Sequence, residues 1–266
     1  MSTPREHAIV SPSSLKRTIN CPPSLNINKD VNSSSKYTVE GTKAHLVAEC
    51  MVHDRLGIPG GPEFKDIEGK TGEMINYGAD YAAFAENIRN YMQKTSVNPV
   101  KVQTETIVNM EKYIDECWGT CDLMFIGDDK LSIADYKYGA GKVDATDNAQ
   151  LKAYALGAYL SLSDEQQAKI YSIDTYIFQP RASFYNTETR QYEKGYYGRQ
   201  TYKPSELIEW AQSIDPIIQE ALKGLGDRVA GDHCVFCAAK GSCEACRAIT
   251  NPEESMGGDD FAGLGR

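Results

Sequence analysis

The sequence predicts an α/β protein with a mixed central sheet flanked by helices, and two observations carry that expectation. The hydrophobic period is three-to-four in the first third of the chain, drops to two in the middle, and returns to three-to-four afterwards. Three alternating stretches follow one another through turn signals, and a helical stretch then separates them from a further strand.

The elements follow in order. "SPSSLKRTINCPPSL" predicts a short helix capped by Ser11 or Ser13 and ended by Pro22 and Pro23 just after Cys21. "TVEGTKAHLVAECMVHDRLG" predicts a helix that buries Leu46, Val47, Cys50 and Met51 and stops at Gly57, with His45 and Glu49 on one side of it. From Thr71 to Thr95, Met74, Tyr77, Tyr81, Phe84, Ile88 and Tyr91 recur at helical spacing. "VKVQTETIVNM" alternates, "WGTCDLMFIGDD" is an apolar strand ending in a Gly-Asp-Asp turn, and "KLSIADYK" pairs back along it, so the three form an antiparallel meander. "DNAQLKAYALGAYLSL" is helical, "KIYSIDTYIFQP" is a strand, and "RASFYNTETRQYEKGYYG" is a hairpin. The helix "SELIEWAQSIDPIIQEALKGLG" and a run of cysteines close the pattern, and there is no internal repeat.

A chain of 266 residues, 41% apolar and 24% charged, is long enough for one real core with a small appended module. Its apolar runs fall well short of the roughly 20 residues that cross a bilayer, so a membrane association is not expected. The opening "MSTPREHAIVSPSS" lacks the basic-then-apolar order of a signal peptide, which predicts a cytoplasmic protein. Its eight cysteines are then read as metal ligands or core residues before disulfides. A net charge of −9 argues against coating nucleic acid through bulk electrostatics. It leaves room for an enzyme that gathers carboxylates around cations.

Asp122 stands early in one strand of the hairpin and Asp135 late in the next. Antiparallel pairing therefore brings the two carboxylates to one place. Lys137 shares the parity of Asp135 and points to the same face, while Tyr136 faces away and keeps its carbonyl available. Two adjacent carboxylates repel unless a cation sits between them, and oxygen ligands of this kind suit Mg²⁺ or Mn²⁺. A lysine beside such an ion can orient a water or stabilise a phosphorane, which is the chemistry of phosphodiester hydrolysis. A DxK triplet alone is far more often a solvated ion pair at a strand end.

The set of motifs is more specific. "GTCD", "IADYKYG" and "QLKAYALGAY", in that order, with "GTKAHLVAE" upstream, resemble the RecB-like branch of the PD-(D/E)xK nuclease superfamily over residues 45 to 154. The resemblance implies a restriction-endonuclease-like core in which His45, Asp122, Asp135 and the Tyr136 carbonyl hold the metal. It further implies that Lys137 is the catalytic lysine and that Gln150 and Tyr154 position DNA or the lysine. Glu105, on the preceding strand, has side-chain chemistry suited to a second metal or to support of the first. No proline precedes Asp122 and the second acid is Asp; both departures occur within the branch.

Near the far end, "CVFCAAKGSCEAC" places Cys234, Cys237, Cys243 and Cys246 close together, a spacing that suits Zn²⁺ or an iron-sulfur cluster. The resemblance extends to the iron-sulfur subgroup of these nucleases, including the AddB nuclease domain and the small CRISPR-adaptation nucleases. That subgroup holds a [4Fe-4S] cluster by one upstream cysteine and three in a CxxC-x5-C pattern. It implies Cys21, Cys234, Cys237 and Cys243 as ligands with Cys246 spare; four local cysteines on structural Zn²⁺ is the alternative. Cys50, Cys117 and Cys121 read as small buried residues.

The domain organisation this predicts is an N-terminal segment with the upstream cysteine over 1–37, a nuclease core over 38–230, a cysteine module over 231–250, and a disordered acidic tail over 251–266. The expected function is that of a metal-dependent DNA exonuclease in recombination or end resection, of viral or mobile-element type, acting in a bacterial host cell beside a single-strand annealing protein. The alternative is a non-catalytic DNA-binding or scaffold subunit that keeps the fold and the metal cluster.

Overall fold

The computed structural model describes residues 8–29 and 36–250; the acidic tail expected over 251–266 lies outside them. Five strands form one sheet in the order β1 (Lys101–Asn109), β2 (Trp118–Ile126), β3 (Lys130–Tyr136), β4 (Ser172–Asn186) and β5 (Gln191–Tyr202). All neighbours are antiparallel except β3 and β4, which are parallel. That pair needs a crossover, and the helix predicted between them supplies it: α5 (Ala149–Leu160), followed by the short α6 (Asp164–Gln167). The sheet is mixed, as its sequence order predicts.

Helices cover both faces. On one lie α5 and α7 (Pro204–Leu222), joined by α1 (Leu15–Asn20) and α2 (Ser24–Ile27), over Met124, Ile126, Leu131, Ile133 and Ile173. On the other lie α3 (Lys36–Leu56) and α4 (Gly72–Gln93), over Leu123, Phe125, Ala134, Tyr136 and Phe178. Strand β3 shows why both sides fill: Leu131 and Ile133 face α5, and Ala134 and Tyr136 face α4. Tyr81 and Phe178 pack on Tyr136 at ring distances of 5.0 and 6.0 Å, and each such pair adds about 1 kcal/mol beyond its buried area.

Two helices are fixed by caps that the sequence announces. Thr71 Oγ1 accepts from the Met74 amide at 3.2 Å to start α4. Asn148 Oδ1 accepts from the Gln150 and Leu151 amides at 3.0 and 3.2 Å to start α5. Helix α5 lies so close to the sheet that a Cβ on Gly157 would come within 2.9 Å of Val108 Cβ. A side chain there would push the crossover off the sheet.

Three expectations need adjusting. The first predicted helix is a 3₁₀ turn over Pro12–Ser14 leading into α1. Leu46 is exposed, because the buried stripe of α3 runs through Ala44, Val47, Ala48 and Val52, and Leu46 lies roughly 100° away from Val47 around the axis. The predicted strand at 169–180 and the first arm of the hairpin are one continuous β4, which passes Pro180 at an irregularity in its pairing with β5 between Gln179 and Ser183.

Candidate active site

Asp122 and Asp135 face each other across the end of the β2–β3 ladder, one step beyond the Leu123–Ala134 pair. There the Asp122 side chain takes over from the backbone, and its Oδ2 accepts from the Tyr136 amide at 2.8 Å. The same oxygen lies 3.5 Å from Nδ1 of His45, which α3 projects from the opposite layer. The His45 ring sits edge-on to Tyr136 at 5.3 Å. Glu49, one helical turn beyond, pairs instead with His53 at 3.8 Å, so the imidazole of His45 is directed to the strand acids.

On the other side, Lys137 Nζ lies 3.0 Å from Asp135 Oδ2 and donates to Gln150 Oε1 at 2.9 Å. Gln150 Nε2 donates to Asp135 Oδ1 at 3.1 Å and reaches the Tyr154 hydroxyl at 3.4 Å. A single amide on α5 thus grips both members of the DxK pair. Asp135 is 3% exposed, and its enclosed Oδ2 has the Lys137 ammonium as its counter-charge. Burial pushes its carboxyl up to about 6, with Lys137 pulling down and Asp122 adding upward repulsion. Burial also raises the Tyr154 hydroxyl, which favours a neutral donor.

Gly119 makes this approach of α5 feasible. A Cβ there would stand 2.9 Å from the Pro12 ring and 3.3 Å from Cε1 of Tyr154. The glycine in "GTCD" therefore works as the gap that the tyrosine and the N-terminal turn fill.

The structure brings a further acid to this place. Glu105 has a backbone φ of 41°, in the left-handed region that non-glycine residues seldom occupy. It stands opposite Asp122, between the Thr104–Leu123 and Thr106–Cys121 pairs. Both strands change face at this step. In β1, Thr104 reaches α3 while Val108, of the same parity, packs under α5; in β2, Leu123 packs under α4 while Cys121 packs under α5. One ligand atom from each of His45, Glu105 and Asp122 falls within 4.8 Å of the others. They border a cavity of about 10 Å³ shared with Glu49, Thr104 and Tyr136, which is room for one water or ion. Burial first, then repulsion from Asp122, Glu49 and Asp135, pushes the Glu105 carboxyl up to about 8.

The donor set of one imidazole and two carboxylates fits a divalent cation with mixed nitrogen and oxygen ligands. Of the expected site residues, His45, Asp122, Asp135, Tyr136, Lys137, Gln150 and Tyr154 all adjoin one another at this edge. A regularly alternating strand would point Glu105 to solvent. The left-handed kink that turns it has no glycine or asparagine to announce it.

The cysteines form a separate region joined to the N-terminal segment. Cys21, Cys234 and Cys243 are buried. Asn28 binds across the chain ends, donating to Cys237 Sγ at 3.6 Å and accepting from the Ala238 amide at 2.9 Å. The Cys246 thiol contacts those of Cys234 and Cys243, and burial with these two neighbours pushes it up to about 11. Backbone amides of Cys246 and Ala245 hold Cys243 below its ordinary value. Among the described residues, no helix is long and apolar enough to cross a membrane.

The family described as Protein of unknown function (DUF2800) matches residues 7–261. Two crystal structures resemble the fold. That of SSO0001 has a TM-score of 0.40 and 9% identity, with 92% of this chain and 90% of the other covered. That of a "Putative exonuclease" from Eubacterium rectale has a TM-score of 0.39 and 13% identity, with 89% and 86% covered.

Proposed function

We propose that this chain, which belongs to the DUF2800 family, is a divalent-metal-dependent deoxyribonuclease with a restriction-endonuclease-like core, acting as an exonuclease in DNA recombination or end resection. One observation carries this reading. Two acids on adjacent strands and a lysine two residues after the second converge with a histidine from the opposite layer. Structural ion pairs rarely recruit an imidazole, three carboxylates and an amine to one sheet edge, where burial and mutual repulsion disfavour their charges.

Asp122, Asp135 and His45 would hold Mg²⁺ or Mn²⁺, with the Tyr136 carbonyl alongside. Bound there, the cation would polarise a phosphoryl oxygen and acidify a water. Gln150 fixes the lysine amine and the Asp135 carboxylate with its two ends, so that Lys137 can orient the attacking water or meet charge developing on the phosphate. Tyr154 steadies Gln150. Beyond Lys137, Lys142 lies over the Phe184 and Tyr196 rings at 4.7 and 4.5 Å, and Arg181 lies over Tyr138 at 4.4 Å; these cations and rings suit a DNA strand leaving the site.

In the same reading, Cys21, Cys234, Cys237 and Cys243 would hold a [4Fe-4S] cluster joining the N-terminal segment to the C-terminal cysteines, two regions that Asn28 also bridges. The contacts of Cys246 with Cys234 and Cys243 favour a second reading, a structural Zn²⁺ among the local cysteines. Pure protein with broad visible absorbance and iron supports the cluster; colourless protein with stoichiometric zinc supports the alternative. A single-strand annealing protein is the partner class this role implies, and a cytoplasmic location goes with it.

End-labelled linear and closed circular DNA, incubated with Mg²⁺ or Mn²⁺, test the nuclease. Loss of label from linear DNA, sparing of circles, and loss of activity in Lys137→Ala are expected. Wild-type protein that degrades neither substrate with either ion contradicts the proposal.

A further inference from the structure

Resting on the nuclease reading, we infer that Glu105 is a direct ligand of a divalent cation seated in the small cavity between α3 and the β1–β2 kink, together with His45 and Asp122. It shares His45 and Asp122 with the metal site proposed above and adds a ligand on the side away from Lys137. Several independent features lead there. The ligand atoms of His45, Glu105 and Asp122 already lie within 4.8 Å of one another, whereas Asp135 is held on the far side by Lys137 and Gln150. The cavity they border has the volume of a single ion or water. Asp135 Oδ2, paired with the Lys137 ammonium at 3.0 Å, stands on the other flank of Asp122.

The backbone supports the assignment. Both strands reverse face at Glu105 and Asp122, which stand opposite each other, and a regular ladder would leave Glu105 pointing away from α3. The left-handed conformation at Glu105 costs energy in a residue other than glycine. Its neighbour Thr104 is engaged by His53 at 2.8 Å and anchors the strand to α3 immediately before the kink. The result is a glutamate presented to an imidazole and an aspartate at ligand distance. A nitrogen donor among two carboxylates discriminates in favour of Mn²⁺ over Mg²⁺, which prefers oxygen and retained water.

Mn²⁺ titration of the full-length protein, followed by the loss of the free-ion electron paramagnetic resonance signal and by calorimetry, tests this without reference to DNA cleavage. Glu105→Gln should weaken Mn²⁺ binding by about tenfold or more, at least the cost of disturbing a metal's supporting residues. Glu105→Gly, which accepts the positive φ without strain, should do the same while keeping the wild-type circular dichroism spectrum. Asp135→Asn should weaken binding less than either. Unchanged Mn²⁺ affinity in both Glu105 variants overturns the inference, and leaves the nuclease reading standing if Lys137→Ala still abolishes DNA degradation. Complete loss of binding in Asp135→Asn with retention in Glu105→Gln overturns it as well. Absence of Mn²⁺ binding by the wild type overturns the inference, while DNA degradation with Mg²⁺ would leave the nuclease reading standing.

Discussion

The acidic site and the cysteine module are built in opposite ways. Asp122, Asp135 and Lys137 sit on sheet strands, with His45, Gln150 and Glu105 delivered by α3, α5 and β1 from up to about a hundred residues apart in sequence. Their positions are set by the packed core around Tyr136, Tyr81 and Phe178, whether or not a metal is present. The four C-terminal cysteines lie within thirteen residues, on a 3₁₀ turn, a loop and the short α8 (Glu244–Thr250). Few buried apolar groups surround them. The first site spends folding energy to hold repelling charges together; the second would gain folding energy from whatever its thiolates bind.

That contrast ranks the effects of perturbing each region. The largest is expected at the DxK pair: Lys137→Ala or Asp135→Ala should cut DNA degradation by about 10²-fold or more while leaving the melting temperature near wild type, since preorganised charge stabilisation is worth that much. Cleavage that survives either change removes the catalytic assignment. The cysteine module should show the converse. Cys234→Ser should lower the melting temperature by roughly 5–10 °C, a few kcal/mol at 2–4 °C each for a chain of this size, together with loss of bound metal. A melting temperature unmoved by that change would show that the cysteines hold no structural metal.

Smaller effects sharpen the same division. Gly119→Ala forces a Cβ against Pro12 and Tyr154 and should cost about 1–3 kcal/mol in a denaturant titration, with a loss of activity as α5 is displaced. The acidic site should also make metal-free protein less stable as pH rises. Glu105 and Asp135, raised to about 8 and about 6, still hold protons that the unfolded chain has lost, so stability falls from near pH 4.5 up to about 8. Glu105→Gln should flatten the upper part of that fall. A urea midpoint that rises over this window would show that burial and repulsion do not raise these two carboxyls. Smallest of all, Tyr154→Phe removes a hydroxyl 3.4 Å from Gln150 and should reduce activity only a few-fold, in keeping with a net hydrogen bond of about 1 kcal/mol.

What could be read in the sequence follows from the same physics. Alternation and the Gly-Asp-Asp turn expose β2 and β3, and antiparallel pairing then fixes Asp122 against Asp135. Helical spacing places Gln150 and Tyr154 one turn apart on α5, the face that meets Lys137. Parity cannot reveal where a strand breaks parity. Glu105 therefore shows its ligand chemistry in the sequence but not the face it takes, and Cys121 reads as a plain core residue, while the kink that defines the cavity is enforced by contacts with α3 and α5. Leu46 and the unbroken run of β4 through Pro180 failed for a related reason, because tertiary packing chose the face and the length.

The most direct measurement is an anomalous difference map from crystals grown or soaked with Mn²⁺. The account predicts a peak at bonding distance from the Asp122 carboxylate and the His45 imidazole, at the edge where β2 and β3 end. A well-occupied peak elsewhere, or none at Mn²⁺ concentrations that support DNA degradation, would contradict it.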